Sequence, residues 1–126
     1  MRKKAAGALP VQYSKTALVI DSIQDKKGED IVVLHLEHIP DTVSEQFVIC
    51  HADATVQVQA IARHVMDRMK EELGEIPYSK EGLNNAEWVL IDYIDVVVHI
   101  FHRDKRGFYQ LEDLWHDAEI EQIPTN

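Results

Sequence analysis

The sequence predicts a layered α/β domain, in which a mixed β-sheet of about five strands carries helices packed on it. The first observation is a stripe of apolar residues at helical spacing in the middle of the chain. Its members are Val58, Ala62, Val65, Met69 and Leu73. The second is a pair of apolar runs, 88–93 and 95–101, separated by a tight break that indicates an antiparallel hairpin. A long helix between strands requires a crossover connection, so the sheet is expected to contain parallel and antiparallel pairs.

The first half of the chain predicts one helix and two strands. Ser14 is placed to cap a helix over residues 14–25, and Lys26-Lys27-Gly28 is typical of a helix end. The β-branched run 31–36 predicts a strand. A loop at Pro40-Asp41 then leads to a second short strand over residues 46–50.

The second half begins with the long helix, for which Asp53 is the expected N-cap and Gly74 the expected left-handed C-cap. A short strand over 76–79 and the two hairpin runs follow. A last helix is predicted from 107 or 108 to 115, and the acidic tail from 116 onward is expected to be loose. The predicted order is therefore α-β-β-α-β-β-β-α, in a single domain over 14–116 with flexible ends at 1–13 and 117–126.

Composition and charge narrow the function classes. The chain has 126 residues, of which 45% are hydrophobic and 28% charged, an ordinary globular composition. Its net charge of −9 would repel a phosphate backbone, so broad nucleic-acid binding is not expected, nor is direct sequence-specific binding; the charge favours a basic protein partner. No apolar run approaches the length of about 20 residues that crosses a bilayer, so no membrane contact is expected. We predict a cytoplasmic protein.

Asp92 and Asp95 flank the break between the two hairpin runs and are the first candidates for a site. Carboxylates at a strand tip can bind a divalent metal or act as acid and base. They can also cap the hairpin through local hydrogen bonds, or dock a cationic partner. The sequence leaves these three interpretations open.

Other candidates for chemistry have simpler interpretations. His99 and His102 are three apart on a predicted strand, so their rings are expected on opposite faces and a shared zinc ion is not predicted. Cys50 beside His51 suggests a nucleophile, but neighbours on a strand project oppositely, and a buried inert thiol is favoured. The chain has no glycine-rich phosphate loop, and we predict neither an enzyme nor a cofactor.

Trp88 opens a predicted strand and Trp115 ends a predicted helix. Buried aromatic residues dominate small cores, and tryptophan is also a favoured hot spot of protein interfaces. For Trp88 both interpretations stay open, whereas core packing is favoured for Trp115.

A specific motif covers the hairpin and the segment after it. It comprises Glu81-Gly82, Glu87-Trp88-Val89-Leu90-Ile91-Asp92-Tyr93, Asp95-Val96-Val97-Val98-His99-Ile100-Phe101, Arg106, Phe108-Tyr109, Leu111-Glu112 and Leu114-Trp115. Together with upstream positions these residues closely resemble the ribosomal silencing factor family, also called Iojap-like, over residues 14–115. The motif is far more specific than any single pair of acids.

The resemblance implies a function and a partner. Members of that family bind the large ribosomal subunit through ribosomal protein fourteen and block subunit joining sterically, which represses translation. The resemblance also implies a nucleotidyltransferase-like fold without that activity and a possible homodimer when free. Since ribosomal proteins are typically basic, the acidic charge of this chain suits such a partner.

The sequence departs from the family pattern at two places. The turn Cys50-His51-Ala52-Asp53 lacks the small residues usual there, and Ile94 stands where the family has glycine. A two-residue hairpin turn needs positive φ, which a β-branched residue resists, so the turn either differs in type or stores strain.

We expect the partner-binding residues to be Glu81, Trp88, Asp92, Asp95 and His99. The first hypothesis is a silencing factor that acts by occlusion. The alternatives are a residual metal-dependent nucleotidyltransferase that uses Asp92 and Asp95, and a homodimeric scaffold unrelated to ribosomes.

Overall fold

The computed structural model describes residues 11–39, 44–109 and 118–124, which contain three helices and six strands. In chain order these are α1 (Val11–Asp25), β1 (Glu29–His35), β2 (Gln46–Ala52), α2 (Thr55–Leu73), β3 (Ser79–Glu81), β4 (Trp88–Asp92), β5 (Val96–His102), α3 (Arg103–Tyr109) and β6 (Glu119–Gln122). The predicted order of the first eight elements is confirmed.

The strands form one mixed sheet in the order β3-β4-β5-β2-β1-β6. Strands β2 and β5 are parallel, while the other neighbours are antiparallel. The crossover between the parallel pair contains α2, as a parallel connection requires. The β4–β5 hairpin and the mixed sheet therefore agree with the sequence prediction, and β6 adds a sixth strand.

Helices α1 and α2 pack on one face of the sheet and form the main core. The apolar stripe of α2 faces this core: Val58, Ala62, Val65 and Met69 are buried, and Leu73 is partly buried. Side chains from the middle of the sheet meet this stripe; they include Val48, Val98 and Ile100. Burying a Val, Leu or Ile side chain stabilises a fold by roughly 1.5–3 kcal/mol, so this layer fixes the sheet against the helices.

A buried arginine joins the two helices. The Arg68 guanidinium donates to Asp21 at 2.8 Å, to Asp25 at 3.1 Å and to Glu72 at 2.7 Å. His64 also lies 2.9 Å from the Asp25 carboxylate. These carboxylates satisfy the charge of an otherwise buried side chain, which is the condition under which a charge is tolerated inside a fold.

The opposite face of the sheet carries a second, smaller cluster. Its buried members are Val32, Leu34, Leu36, Ile49, Phe101 and Ala118, and Ile39, Phe47 and Trp88 pack against them while partly buried. Strand β5 is buried on both faces, which agrees with its nearly continuous apolar sequence.

Both expected flexible ends contain regular structure. Helix α1 begins at Val11, within the predicted flexible arm, and β6 lies in the predicted loose tail. Four residues of β1 pair with β6, and backbone pairing of this kind gives no strong side-chain signal in a short acidic segment. The predicted end of the last helix at 115, and Trp115 itself, lie outside the described residues.

The predicted C-cap of α2 is confirmed, whereas its predicted N-cap is wrong. Gly74 has φ 68°, and its N–H donates to the Lys70 carbonyl at 3.0 Å, which confirms the left-handed C-cap. The Asp53 cap is wrong, because Ala54 holds the N-cap position and no side chain caps there. Asp53 instead pairs with Arg103 at the start of α3.

Smaller shifts affect strand and helix ends. Strand β3 starts at Ser79 rather than 76, and Ile76 and Tyr78 are exposed. Helix α3 starts at Arg103, several residues before the predicted position. None of the helices in the described ranges is long and apolar enough to span a membrane.

Candidate functional site

The face of the sheet opposite α1 and α2 collects most of the predicted docking residues. Trp88 pairs with Phe101, Leu90 with His99, and Asp92 with Val97, so alternate side chains of β4 and β5 share this face. Glu81 of β3 pairs with Leu90, so its side chain lies on the same face at the sheet edge. The structure therefore brings Glu81, Trp88, Asp92 and His99 together on one face, and Asp95 lies outside this set.

An aromatic cluster, defined by Phe47, Trp88, His99 and Phe101, forms the centre of this face. The Trp88 and Phe101 rings stack with centroids 5.2 Å apart and planes inclined by 25°. His99 lies 4.7 Å from Phe47, 5.9 Å from Trp88 and 6.5 Å from Phe101. Offset and tilted rings at these distances attract one another beyond simple burial. Trp88 remains half-buried and is the member of the cluster that opens the strand.

His99 is covered by this cluster and does not reach the surface. Its side chain is 3% exposed, and its Nδ1 accepts a hydrogen bond from Trp88 Nε1 at 3.0 Å. Burial lowers the pKa of His99 to about 4, so the ring is neutral near pH 7. In the structure His99 contacts Trp88 from beneath, and its expected role in partner binding stays a prediction.

Asp92 and Asp95 have separate partners. The Ile94 N–H donates to Asp92 Oδ1 at 2.7 Å, which caps the hairpin turn locally. Asp95 accepts a hydrogen bond from Lys15 Nζ in α1 at 2.8 Å, and Glu75 lies 3.4 Å from the same nitrogen. Burial opposes the charge of Lys15, yet these two carboxylates outweigh it and raise the pKa of the ammonium group. This geometry supports the structural interpretation of the pair and gives no shared metal site.

The turn between β4 and β5 is strained at Ile94. Its φ is 78°, in the left-handed region that β-branched residues disfavour. The Tyr93 N–H donates to the Val96 carbonyl at 2.9 Å, and the Asp95 N–H donates to the Tyr93 carbonyl at 3.0 Å. These bonds, with the Asp92 cap, hold Ile94 in place. The positive φ of Ile94 agrees with stored strain, and the bond from the Asp95 N–H to the Tyr93 carbonyl is that of a γ-turn, so the turn also differs in type.

Gly82 allows the backbone before β4 to pass close to the backbone of Trp88. Its φ is 84°, and a Cβ at this position would lie 2.1 Å from the Trp88 carbonyl oxygen. The Ala86 N–H donates to the Gly82 carbonyl at 2.8 Å, which closes the turn into β4. Only a residue without a side chain permits this close approach, so Gly82 positions the first residue of β4.

The turn that departs from the family pattern is held by contacts with two arginines, Arg106 at His51 and Arg103 at Asp53. His51 is buried, and its Nδ1 lies 3.0 Å from Arg106 Nη1. Burial, and next the charge of Arg106, lower the pKa of His51. Cys50 is fully buried, and this burial raises the pKa of its thiol to about 12, which agrees with the predicted inert cysteine. Across the described ranges, no three His, Cys, Asp or Glu side chains are arranged to hold a metal ion.

Sequence reasoning missed further members of the face, among them Phe47, Leu90 and Phe101. They follow from the period-two alternation of strands once the register is known: Phe47 is opposite Val97, Leu90 is opposite His99, and Phe101 is opposite Trp88. The Lys15 contact to Asp95 was also missed. It joins residues 80 positions apart, and no local sequence pattern signals such a contact.

Comparisons with known proteins agree with this fold and this motif. A family model described as ribosomal silencing factor during starvation matches residues 11–126. The ribosomal silencing factor RsfS of Bacillus subtilis is 42% identical over 112 residues, which cover 89% of this chain and 93% of the relative. The factor of the same name from Halalkalibacterium halodurans is 45% identical over 106 residues, covering 84% and 89%.

A solved structure shows the same architecture. The X-ray structure of protein CV0518 from Chromobacterium violaceum matches with a TM-score of 0.79 and 30% identity, covering 93% of this chain and 96% of that one. The similarity therefore extends over nearly the whole domain in both sequence and fold.

Proposed function

This chain belongs to the ribosomal silencing factor family, and we propose that it represses translation by binding the large ribosomal subunit through ribosomal protein fourteen and blocking subunit joining sterically. The proposal needs a face that can hold a protein partner and no bond-breaking step. It is carried by one observation: half-buried Trp88 is stacked in an aromatic cluster on the sheet face that α1 and α2 leave uncovered.

The chemistry of that face suits a basic partner. Trp88 offers a large, preorganised apolar surface of the kind that dominates binding energy at interfaces. Glu81 is exposed beside it on the sheet edge, and Asp92 and Asp95 are partly exposed around the hairpin turn. With a net charge of −9, these carboxylates favour fast encounter with a cationic surface and help to fix its orientation. We propose these four residues as the docking set, with His99 beneath them.

A nucleotidyltransferase is the weaker candidate. Its metal would need Asp92 and Asp95 together, but Asp92 accepts the Ile94 N–H and Asp95 pairs with Lys15. Nucleotidyl transfer also needs a Gly-Ser turn after the first core strand, whereas the turn Cys50-His51-Ala52-Asp53 has neither residue and is held by the contacts of His51 to Arg106 and of Asp53 to Arg103. A homodimer in the free protein, and a cytoplasmic location, stay predictions.

The test is co-sedimentation with purified large ribosomal subunits, using Trp88→Ala and Tyr78→Ala. Tyr78 is a matched control because it is an aromatic residue, 76% exposed, next to the same hairpin and outside the aromatic cluster. Truncating a hot-spot aromatic residue commonly costs more than about 2 kcal/mol, so Trp88→Ala should lose binding by at least about thirtyfold while Tyr78→Ala binds normally. Equal binding by folded Trp88→Ala would remove this face from the proposal.

The salt dependence of binding tests the proposed role of the carboxylates. Because exposed charges are screened at high ionic strength, binding should weaken from low to high salt, and Glu81→Lys should reduce that dependence. A flat salt response would contradict the role proposed for the carboxylates.

A further inference from the structure

The Trp88–His99 pair contains a buried hydrogen bond with a fixed direction. An indole N–H can only donate, so the nitrogen that faces Trp88 Nε1 at 3.0 Å must be an unprotonated acceptor. His99 Nδ1 is that nitrogen, and the proton of the neutral ring is therefore on Nε2. The hydrogen bond thus selects one tautomer and one orientation of the imidazole.

The other ring nitrogen distinguishes this arrangement from purely apolar packing. His99 Nε2 is fully buried, and none of the described residues offers it a hydrogen-bond partner. A phenylalanine or leucine would fill the same space among aromatic rings without leaving a buried donor unpaired. Histidine at this position supplies an acceptor atom that phenylalanine and leucine would lack.

The acceptor fixes the indole of Trp88 from below. Trp88 is held at its Nε1 by His99 and on its face by Phe101, whose ring is 25° from parallel. A hydrogen bond at one edge and a stack on one face together restrict both side-chain torsions. Trp88 is therefore presented in one conformation before any partner arrives.

We propose that His99 is a positioning residue, which locks the Trp88 indole in its binding conformation through Nδ1 and does not itself touch the partner. This inference rests on the proposed function, since it assigns a role within the same docking face. It predicts that the loss of the acceptor weakens binding through the mobility of Trp88 alone. Ordering a side chain on binding typically costs up to about tenfold in affinity, which sets the expected effect.

The test compares His99→Phe, which keeps an aromatic ring without an acceptor, with His99→Asn, whose side-chain oxygen takes the place of Nδ1. In the free protein, the indole N–H resonance of Trp88 is identified by its absence from Trp88→Phe. In His99→Asn it should keep the downfield position of a hydrogen-bonded indole. In His99→Phe it should move upfield and sharpen.

Binding to large subunits supplies the second readout. His99→Phe should bind about tenfold more weakly than the wild type, and His99→Asn within about threefold of it. In a double-mutant cycle, His99→Phe should have no further effect once Trp88 is Ala, because the two residues act as a unit. His99→Leu replaces His99→Phe if the latter does not fold.

The outcomes separate the two claims. Failure of the wild type to bind large subunits overturns the proposed function itself. Normal wild-type binding, with His99→Phe binding equally well or with additive losses in the cycle, overturns the positioning role and leaves the proposed function standing.

Discussion

Gly82→Ala should destabilise the fold more than a glycine substitution usually does, since it combines backbone strain with a steric overlap. The φ of 84° is unfavourable for alanine by about 1–2 kcal/mol. The new Cβ would also lie 2.1 Å from the Trp88 carbonyl oxygen and 3.1 Å from its carbon, both backbone atoms that cannot rotate away. Overpacking of this kind costs about 1–3 kcal/mol, so we expect a total loss of about 2–5 kcal/mol.

Two other glycines provide matched controls. Gly74 has a similar φ of 68°, but a Cβ there meets no atom of the described residues within 4 Å, so Gly74→Ala isolates the backbone strain at about 1–2 kcal/mol. Gly107 lies in α3, where a Cβ would likewise meet no described atom within 4 Å, and its φ is not positive. Gly107→Ala should therefore stabilise the protein by roughly 0.5–1 kcal/mol.

The assay is urea unfolding followed by circular dichroism, with thermal melts as a check. For a domain of this size 1 kcal/mol corresponds to about 3–5 °C, so Gly82→Ala should lower the melting temperature by roughly 6–25 °C. If the losses in free energy of unfolding of Gly82→Ala and Gly74→Ala agreed within about 0.5 kcal/mol, the overlap with the Trp88 backbone would not destabilise the fold. That result would refute the reasoning.

Three further predictions concern the hairpin turn, the buried histidine and the cysteine. Ile94→Gly should stabilise the fold by about 0.5–1 kcal/mol in urea unfolding, because it releases the strain of φ 78°; a loss of stability would argue against that strain. His99 has a folded pKa of about 4, below the unfolded value near 6.5, so the unfolded state binds the proton first as the pH falls. Stability should then fall by up to about 3 kcal/mol between pH 6.5 and 4, and unfolding of His99→Phe over that window should show a smaller loss; identical pH profiles would contradict this. Cys50 should stay unmodified by a thiol reagent in the native protein and react fully after unfolding, and rapid native labelling would contradict its burial.

Local patterns predicted much of the fold. The apolar stripe from Val58 to Met69 follows the helical period, and Gly74 marks the helix end. Both predictions are confirmed. The hairpin runs of β4 and β5 follow from apolar β-branched sequence and a tight turn. In each case the signal and the structure lie within a few residues of one another.

The errors arose where distant residues decide the local structure. Asp53 has the chemistry of a helix cap, but Arg103 competes for its carboxylate from 50 residues away. The contact of Asp95 with Lys15 of α1 was not predicted, because the two residues lie 80 positions apart in the chain. Strand β6 exists through backbone pairing with β1, and all four of its residues are exposed.

The same limit applies to the candidate site. Alternation along the strands predicted that His99 and His102 point to opposite faces, but it gave no measure of how deeply His99 is buried. The burial of His99 depends in part on Phe47 of β2. The two rings come into contact because β2 pairs with β5 in the tertiary structure. The role of His99 beneath Trp88 therefore needed the tertiary structure.

Occlusion of the large subunit is most directly tested by mixing purified large and small ribosomal subunits with increasing amounts of the protein and separating them on a sucrose gradient. The proposed function predicts that joined ribosomes decrease, that separate subunits increase, and that the protein migrates with the large subunit alone. Migration with the small subunit, or with joined ribosomes whose amount does not change, would contradict it.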